Sequence, residues 1–282
     1  MKKILVPTDF SKGSIIALEV AFDIAKKAGS EIVLLHVVEE ATSDSFRISG
    51  EWQKSNWQDK LYTYKLLEKS KKQLETLVHD PRFDAVKVTG ELRLGNPFHG
   101  MNTIITEQKV DLVVMGTRGR TKMEALLIGS NTERVVRHAR CPVLTIHKRP
   151  GSTNFKNIVY ATAMSKDEEV FSKIVKRTQQ IYNSTIHIVR INTPGDFQRD
   201  RVVKDYMEKF AKKLQLKNYT INVFNDLSGE DGIISFADSI NADLIAMATH
   251  GRTGLGRVMA GSVAEGVVGS AKRPVLTFVV KH

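Results

Sequence analysis

Short runs of apolar, mostly β-branched residues alternate along the chain with longer stretches in which apolar positions recur every three or four residues. Ile4-Leu-Val-Pro7, Glu31-Ile-Val-Leu-Leu-His-Val-Val38, Val110-Asp-Leu-Val-Val-Met-Gly116 and Pro142-Val-Leu-Thr-Ile146 are strand-sized. The same succession returns as Ile158-Val-Tyr-Ala161, Thr185-Ile-His-Ile-Val-Arg-Ile191, Ala242-Asp-Leu-Ile-Ala-Met-Ala248 and Pro274-Val-Leu-Thr-Phe278. Near-continuous apolar strands are those covered on both faces of a parallel sheet, and their alternation with helical stretches predicts right-handed βαβ units. Each half reads β-α-β-α-β-α-β-α-β. The fold class expected is therefore α/β, with two tandem doubly wound five-stranded parallel-sheet domains at 1–149 and 154–282. The join falls at Lys148-Arg-Pro-Gly-Ser-Thr-Asn154, where Pro150 and Gly151 break the periodicity. Ser11 and Ser165 stand where each can cap the helix that follows.

The halves differ in length, the excess of the first lying around Glu39 to Tyr64. This polar insertion holds both tryptophans, Trp52 and Trp57, which are expected to pin it onto its own domain; an exposed contact patch is the alternative.

Composition narrows the function classes. At 282 residues with 41% apolar and 26% charged residues the chain suits a folded globular protein. No apolar run approaches the roughly 18 residues of a membrane helix. The apolar stretch after Met1-Lys-Lys is too short for a signal-peptide core, so a cytoplasmic location without membrane association is expected. Cys141 is the only cysteine, which excludes an internal disulfide; it is expected to be a buried thiol. The net charge of +11 and pI of about 9.6 could draw nucleic acid or phosphorylated ligands. The lysines, however, are interspersed with acids on helical stretches such as Leu67 to Gln73 and Met207 to Lys213, as on a solvated face. Without interleaved aromatics or a recognition motif, no nucleic-acid partner is expected.

The informative chemistry is a glycine pattern directly after a predicted strand. Met115-Gly116-Thr-Arg-Gly119 is followed after nine residues by Gly129-Ser130-Asn131, at a predicted helix start. In a parallel α/β sheet ligands sit beyond the carboxyl ends of the strands, where helix N-termini aim free N–H groups at anions. Glycine there permits close backbone approach or positive φ, Ser130 adds a hydroxyl, and Arg118 and Arg120 add charge. The second half carries Ala248-Thr-His-Gly251 and, nine residues on, Gly261-Ser262.

Together with Ile4-Leu-Val-Pro-Thr-Asp-Phe-Ser11, Leu34-Leu-His-Val37 and Cys141-Pro-Val-Leu144, this pattern resembles the universal stress protein family over nearly the whole chain. The resemblance implies a flavodoxin-like or adenine nucleotide alpha hydrolase-like sheet, with the loops after its first and fourth strands meeting at the switch point. It implies an ATP site in the first half, with Mg²⁺ bridging the phosphates. Pro7, Thr8, Asp9 and Val37 would lie on the base side, and Met115, Gly116, Arg118 and Gly119 at the ribose and adjoining phosphate. Gly129, Ser130 and Asn131 would hold the phosphates. It also implies that Val143 to His147 and Val275 to Val280 pair antiparallel, so that the halves form an intramolecular pseudo-dimer, with a homodimer of chains open.

The second half departs from the pattern at Ala163, in place of Asp9, and at Ala248, in place of the first glycine. It is expected to bind nucleotide weakly or not at all, or to take another ligand. Asp9 also has a plain reading as a helix cap. The expected function is that of a stress-response regulator read by an unknown protein partner, with no catalytic residue assigned. Slow ATP hydrolysis is the rival, but the chain has no G-x-x-x-x-G-K-[ST] loop, and only His99 and Asp9 are candidates to test for it.

Overall fold

A computed structural model describes residues 1–39, 57–117, 128–163, 168–250 and 258–280. The first half runs β1 (Lys3–Pro7), α1 (Lys12–Ala28), β2 (Glu31–Val38), α2 (Trp57–Val78), β3 (Val88–Leu94), α3 (Pro97–Glu107), β4 (Leu112–Gly116), α4 (Ser130–His138) and β5 (Val143–Ile146). The second runs β6 (Asn157–Ala161), α5 (Glu169–Tyr182), β7 (Thr185–Asn192), α6 (Asp200–Lys213), β8 (Tyr219–Asn225), α7 (Gly229–Ser239), β9 (Leu244–His250), α8 (Val258–Ser270) and β10 (Val275–Val280). Lys3 and Asn157 open the first strands, and Glu31 and Thr185 the second, so corresponding positions there are 154 apart (157 − 3 and 185 − 31).

All ten strands form one sheet in the order β3-β2-β1-β4-β5-β10-β9-β6-β7-β8. Each half is parallel with order 3-2-1-4-5, which places the switch point between its first and fourth strands as expected; flavodoxin itself runs 2-1-3-4-5. At the centre β5 and β10 pair antiparallel, Leu276 opposite Leu144 and Thr277 opposite Val143. Apolar side chains cover both faces. One layer, including Leu18, Leu34, Leu144, Phe155, Phe171 and Leu276, packs under α1, α2, α5 and α6, while the other, including Val33, Ile104, Val136, Ile245 and Val268, packs under α3, α4, α7 and α8. Both layers run through the central seam, so the halves share two cores.

Local signals place the helices. Ser11 caps α1 by accepting from the Ser14 N–H, Gly29 ends it in the left-handed region (φ 65°), and Lys26 and Lys27 sit at its negative end. Ser165 lies outside the described residues. The aspartate that opens both Asp-Leu repeats has one duty: Asp111 accepts from the Lys2 and Lys3 N–H groups, and Asp243 from those of Lys156 and Asn157. Each thereby fastens the start of the first strand to that of the fourth. The lysine-rich helices carry exposed i,i+4 ion pairs, Lys71–Glu75 and Lys212–Glu208 among them, as a solvated face should.

The two halves diverge most at their second helices, 22 residues in α2 against 14 in α6. Trp57 opens α2 with 67% of its surface exposed, which corrects the expectation of a pinning side chain; Trp52 lies outside the described residues. Cys141 is buried, and desolvation pushes its thiol up to about 12, as befits an inert core residue. Among the described residues no helix is long and apolar enough to cross a membrane.

Because Leu276 is buried at the seam, Leu276→Ala is expected to cost about 2–5 kcal/mol. Both tryptophans lie in the first half, so urea unfolding followed by tryptophan fluorescence and by far-UV circular dichroism should show one coincident, lowered midpoint. Separate transitions would mean that the halves fold independently.

Candidate functional site

Above the carboxyl ends of β1, β2 and β4 lies a cavity of about 550 Å³. Pro7, Thr8, Asp9, Val37, Met115, Gly116, Gly129, Ser130 and Asn131 all line it. Arg118 and Gly119, the other two residues singled out in the sequence, lie outside the described residues. His99 is exposed on α3 and does not line the cavity, so the structure does not bring this candidate for hydrolysis to the site. Sequence reasoning missed three further walls: Ser14 from α1, Tyr62 and Leu66 from α2, and Met101 from α3.

The β1–α1 turn is built to present Asp9. Phe10 adopts φ 61°, a costly conformation for a bulky residue. It is held by its N–H donating to Thr8 Oγ1 (3.0 Å) and by its ring packing 4.4 Å from that of His36. His36 Nδ1 lies 2.7 Å from the Thr8 carbonyl oxygen, and Thr8 Oγ1 is 3.0 Å from Ser14 Oγ. The Ser11 N–H donates to Asp9 Oδ1 at 3.0 Å, so Asp9 closes a turn ahead of α1, whose cap is Ser11, and also stands on the cavity wall. Burial is the largest single influence on Asp9 and pushes its pKa up, but hydrogen bonds from Ser11 and Ser14 together outweigh it and hold the carboxyl below its ordinary value. At neutral pH the group is a carboxylate, a strong hydrogen-bond acceptor.

Opposite Asp9 stands the start of α4. Gly129 is its N-cap and offers no side chain to the first-turn N–H groups, which leaves them open to an anion. Its φ is −63°, and an added Cβ would meet only ordinary contacts, the Thr117 carbonyl oxygen at 3.5 Å and Thr132 Oγ1 at 3.9 Å. Positive φ is therefore not why glycine stands here; open access to the backbone is. The Gly129 N–H donates to the Thr117 carbonyl (2.9 Å) and Thr132 Oγ1 to that of Gly116 (3.0 Å), fastening the glycine loop at its base.

The corresponding region of the second half is filled differently. Glu168 stands where Ser14 stands and is 1% exposed. Its carboxylate accepts from Tyr160 Oη (2.9 Å), Thr162 Oγ1 (2.6 Å) and the Ala163 N–H (3.1 Å). A second buried charge, Arg190, replaces His36 and pairs with Asp196 at 2.7 Å. Gly261 and Ser262 lie within α8 rather than at its start, so the Ser262 N–H falls inside the helical ladder instead of facing an anion. Gly251 lies outside the described residues.

The model of the universal stress protein family matches residues 1–147 and again 154–279. A universal stress protein of Methanocaldococcus jannaschii, MJ0531, is 35% identical over 147 residues, 52% of this chain and 82% of that protein. Among solved structures, a universal stress protein from Archaeoglobus fulgidus superposes with a TM-score of 0.76 at 20% identity, covering 99% of this chain and 96% of that one. A second, from Pseudomonas aeruginosa, gives 0.62 at 14% identity over 99% and 94%. These two show the fold across both halves.

The pH dependence of stability should reveal the hydrogen bonds that the Asp9 carboxylate accepts in this turn. A depressed native pKa stabilises the fold above the ordinary aspartate value of 3.8 and ceases to do so as pH falls through the lowered native value. The stability difference between the wild type and Asp9→Asn, read from urea midpoints, is expected to be present at neutral pH and to close in that acid range. A difference independent of pH would show that the charge is irrelevant.

Proposed function

The chain belongs to the universal stress protein family across both of its halves, and from that premise we propose that it is a binding protein with one ATP site per chain, the cavity of the first half. The observation that carries this reading is the convergence on one 550 Å³ cavity of a retained carboxylate, Asp9, and an uncapped helix start at Gly129. The two ends suit the two ends of an adenine nucleotide. Asp9 would accept from the exocyclic amino group of the base, with Val37 and Met115 as apolar walls. Gly116, Arg118 and Gly119 would lie along the ribose and first phosphate, and Gly129, Ser130 and Asn131 would hold the remaining phosphates, through the Ser130 and Asn131 N–H groups and the Ser130 hydroxyl, with Gly129 leaving room for the approach because its own N–H is engaged by Thr117. Among the described residues no group of three or more His, Cys, Asp or Glu side chains could hold a metal ion. Mg²⁺ would thus arrive on the phosphates rather than in a protein cage.

The second half is a partner in the fold with an altered site. Glu168 sets a buried negative charge at its floor, Ala163 removes the base-side acceptor, and α8 absorbs the Gly-Ser pair. The protein would act in the stress response as a cytoplasmic regulator whose nucleotide state is read by a protein partner, with slow hydrolysis as the alternative.

Mass spectrometry of ligand released by denaturing the purified protein is expected to show adenine nucleotide, and calorimetry one ATP per chain. Gly129→Val should abolish binding while lowering stability by only about 1 kcal/mol, the cost of an apolar N-cap, with the chain still folded by urea titration. Bound ATP should stay intact for hours. Absence of any ATP binding would sink the proposal, and turnover lost in Gly129→Val would turn it into an enzyme.

A further inference from the structure

A second cavity, of about 340 Å³, lies over the seam between the halves, on the face covered by α1 and α5. Its floor is apolar: Leu144 and Leu276, opposite each other in β5 and β10, flanked by Leu112 and Leu244. The linker between the halves lies on the α1 side of this face. From β5 the linker follows α1, Arg149 bonding to Glu19 (2.7 Å), Thr153 to Asp23 (3.0 Å) and Asn154 to Lys27 (2.7 Å). At the positions of α5 that correspond to Asp23 and Lys27 stand Arg177 and Ile181, and both line the cavity. Among the described residues no segment covers these positions on α5 as the linker covers α1.

The chemistry of the walls is amphipathic. Beyond the leucine floor they are largely apolar, with Ile24, Phe155, Ile174 and Phe278 among them, and Val170 on α5 is 53% exposed, so the space opens to solvent. Two exposed arginines, Arg140 before β5 and Arg177 on α5, stand among the lining residues without an ion pair among the described residues. Asp111, the one acid in the lining among the described residues, is engaged by the backbone N–H groups of Lys2 and Lys3. The size falls within the range of about 300–1,000 Å³ usual for small-molecule sites, which pair mostly apolar walls with a few polar anchors. Guanidinium groups match a carboxylate in shape and charge.

We propose that the seam cavity binds a linear alkyl carboxylate, its chain over the leucine floor and its head group held by Arg140 and Arg177. The site is separate from the ATP cavity and does not depend on the nucleotide reading.

Calorimetric titration of the full chain with decanoate, decanol and decyltrimethylammonium tests this. Decanoate should bind once per chain, at least about tenfold more tightly than decanol, and decyltrimethylammonium should not bind. The exposed double variant Arg140→Ala/Arg177→Ala should lose about tenfold for decanoate and nothing for decanol. Ile174→Trp, which fills the cavity, should abolish binding of both. Saturating ATP should leave the decanoate affinity unchanged. The proposal is overturned if decanoate shows no saturable binding, if either other probe binds as tightly, if the arginine variant binds decanoate like the wild type, or if ATP displaces it.

Discussion

The pairing of β5 with β10 is the contact on which the rest of the molecule depends. A short antiparallel ladder turns two five-stranded sheets into one of ten strands and carries both apolar layers across the join. Leu144 and Leu276 would otherwise be apolar residues on an open sheet edge, the kind of surface that pairs with whatever strand it meets. Satisfying that edge inside one chain fixes an approximate two-fold relation between the halves. The linker lies along α1, and among the described residues no segment takes the corresponding path along α5, where the seam cavity lies.

The two nucleotide-type regions started from one plan and now differ at a few positions. In the first half small hydroxyl groups, Thr8 and Ser14, line the turn and leave room above it, while the strained Phe10 turns Asp9 toward the cavity. In the second, Glu168 replaces Ser14 and gathers the Tyr160 and Thr162 hydroxyls and the Ala163 N–H onto itself. A carboxylate so supplied with donors is a finished internal network, in which groups that could serve a ligand serve the protein instead.

Much of this was legible in the sequence. The strands were, because parallel strands covered on both faces must be apolar without interruption, and Val113-Val-Met and Ile245-Ala-Met are. The cavity walls were too: nine residues named from the family's motif lie around it, since the motif marks strand ends and a helix start that the fold must bring together. What stayed hidden depended on side chains distant in sequence or on backbone detail. Glu168 sits in Lys166-Asp-Glu-Glu169, which reads like any charged helix start. Tyr62 and Leu66 belong to a helix whose approach to the cavity no local pattern encodes. At Gly129 the sequence left close backbone approach and positive φ both open, and the observed φ of −63° leaves the first, while the spacing of Gly261-Ser262 did not reveal that α8 begins before them. Asp111 and Asp243 were visible as a repeat, while their fastening role appeared only once the neighbouring strands were in place.

The covalent linker has one consequence beyond geometry. When two identical chains pair about a two-fold axis, any substitution is made twice, and a change that fills one site fills the other. Joining the halves end to end lifts that restriction. Glu168 could be introduced once, with Ser14 left untouched opposite it, and every molecule is then born with one half of each kind. The sequence between Arg149 and Asn154 therefore does more than tether. It lets the two copies drift apart while guaranteeing that they never part company.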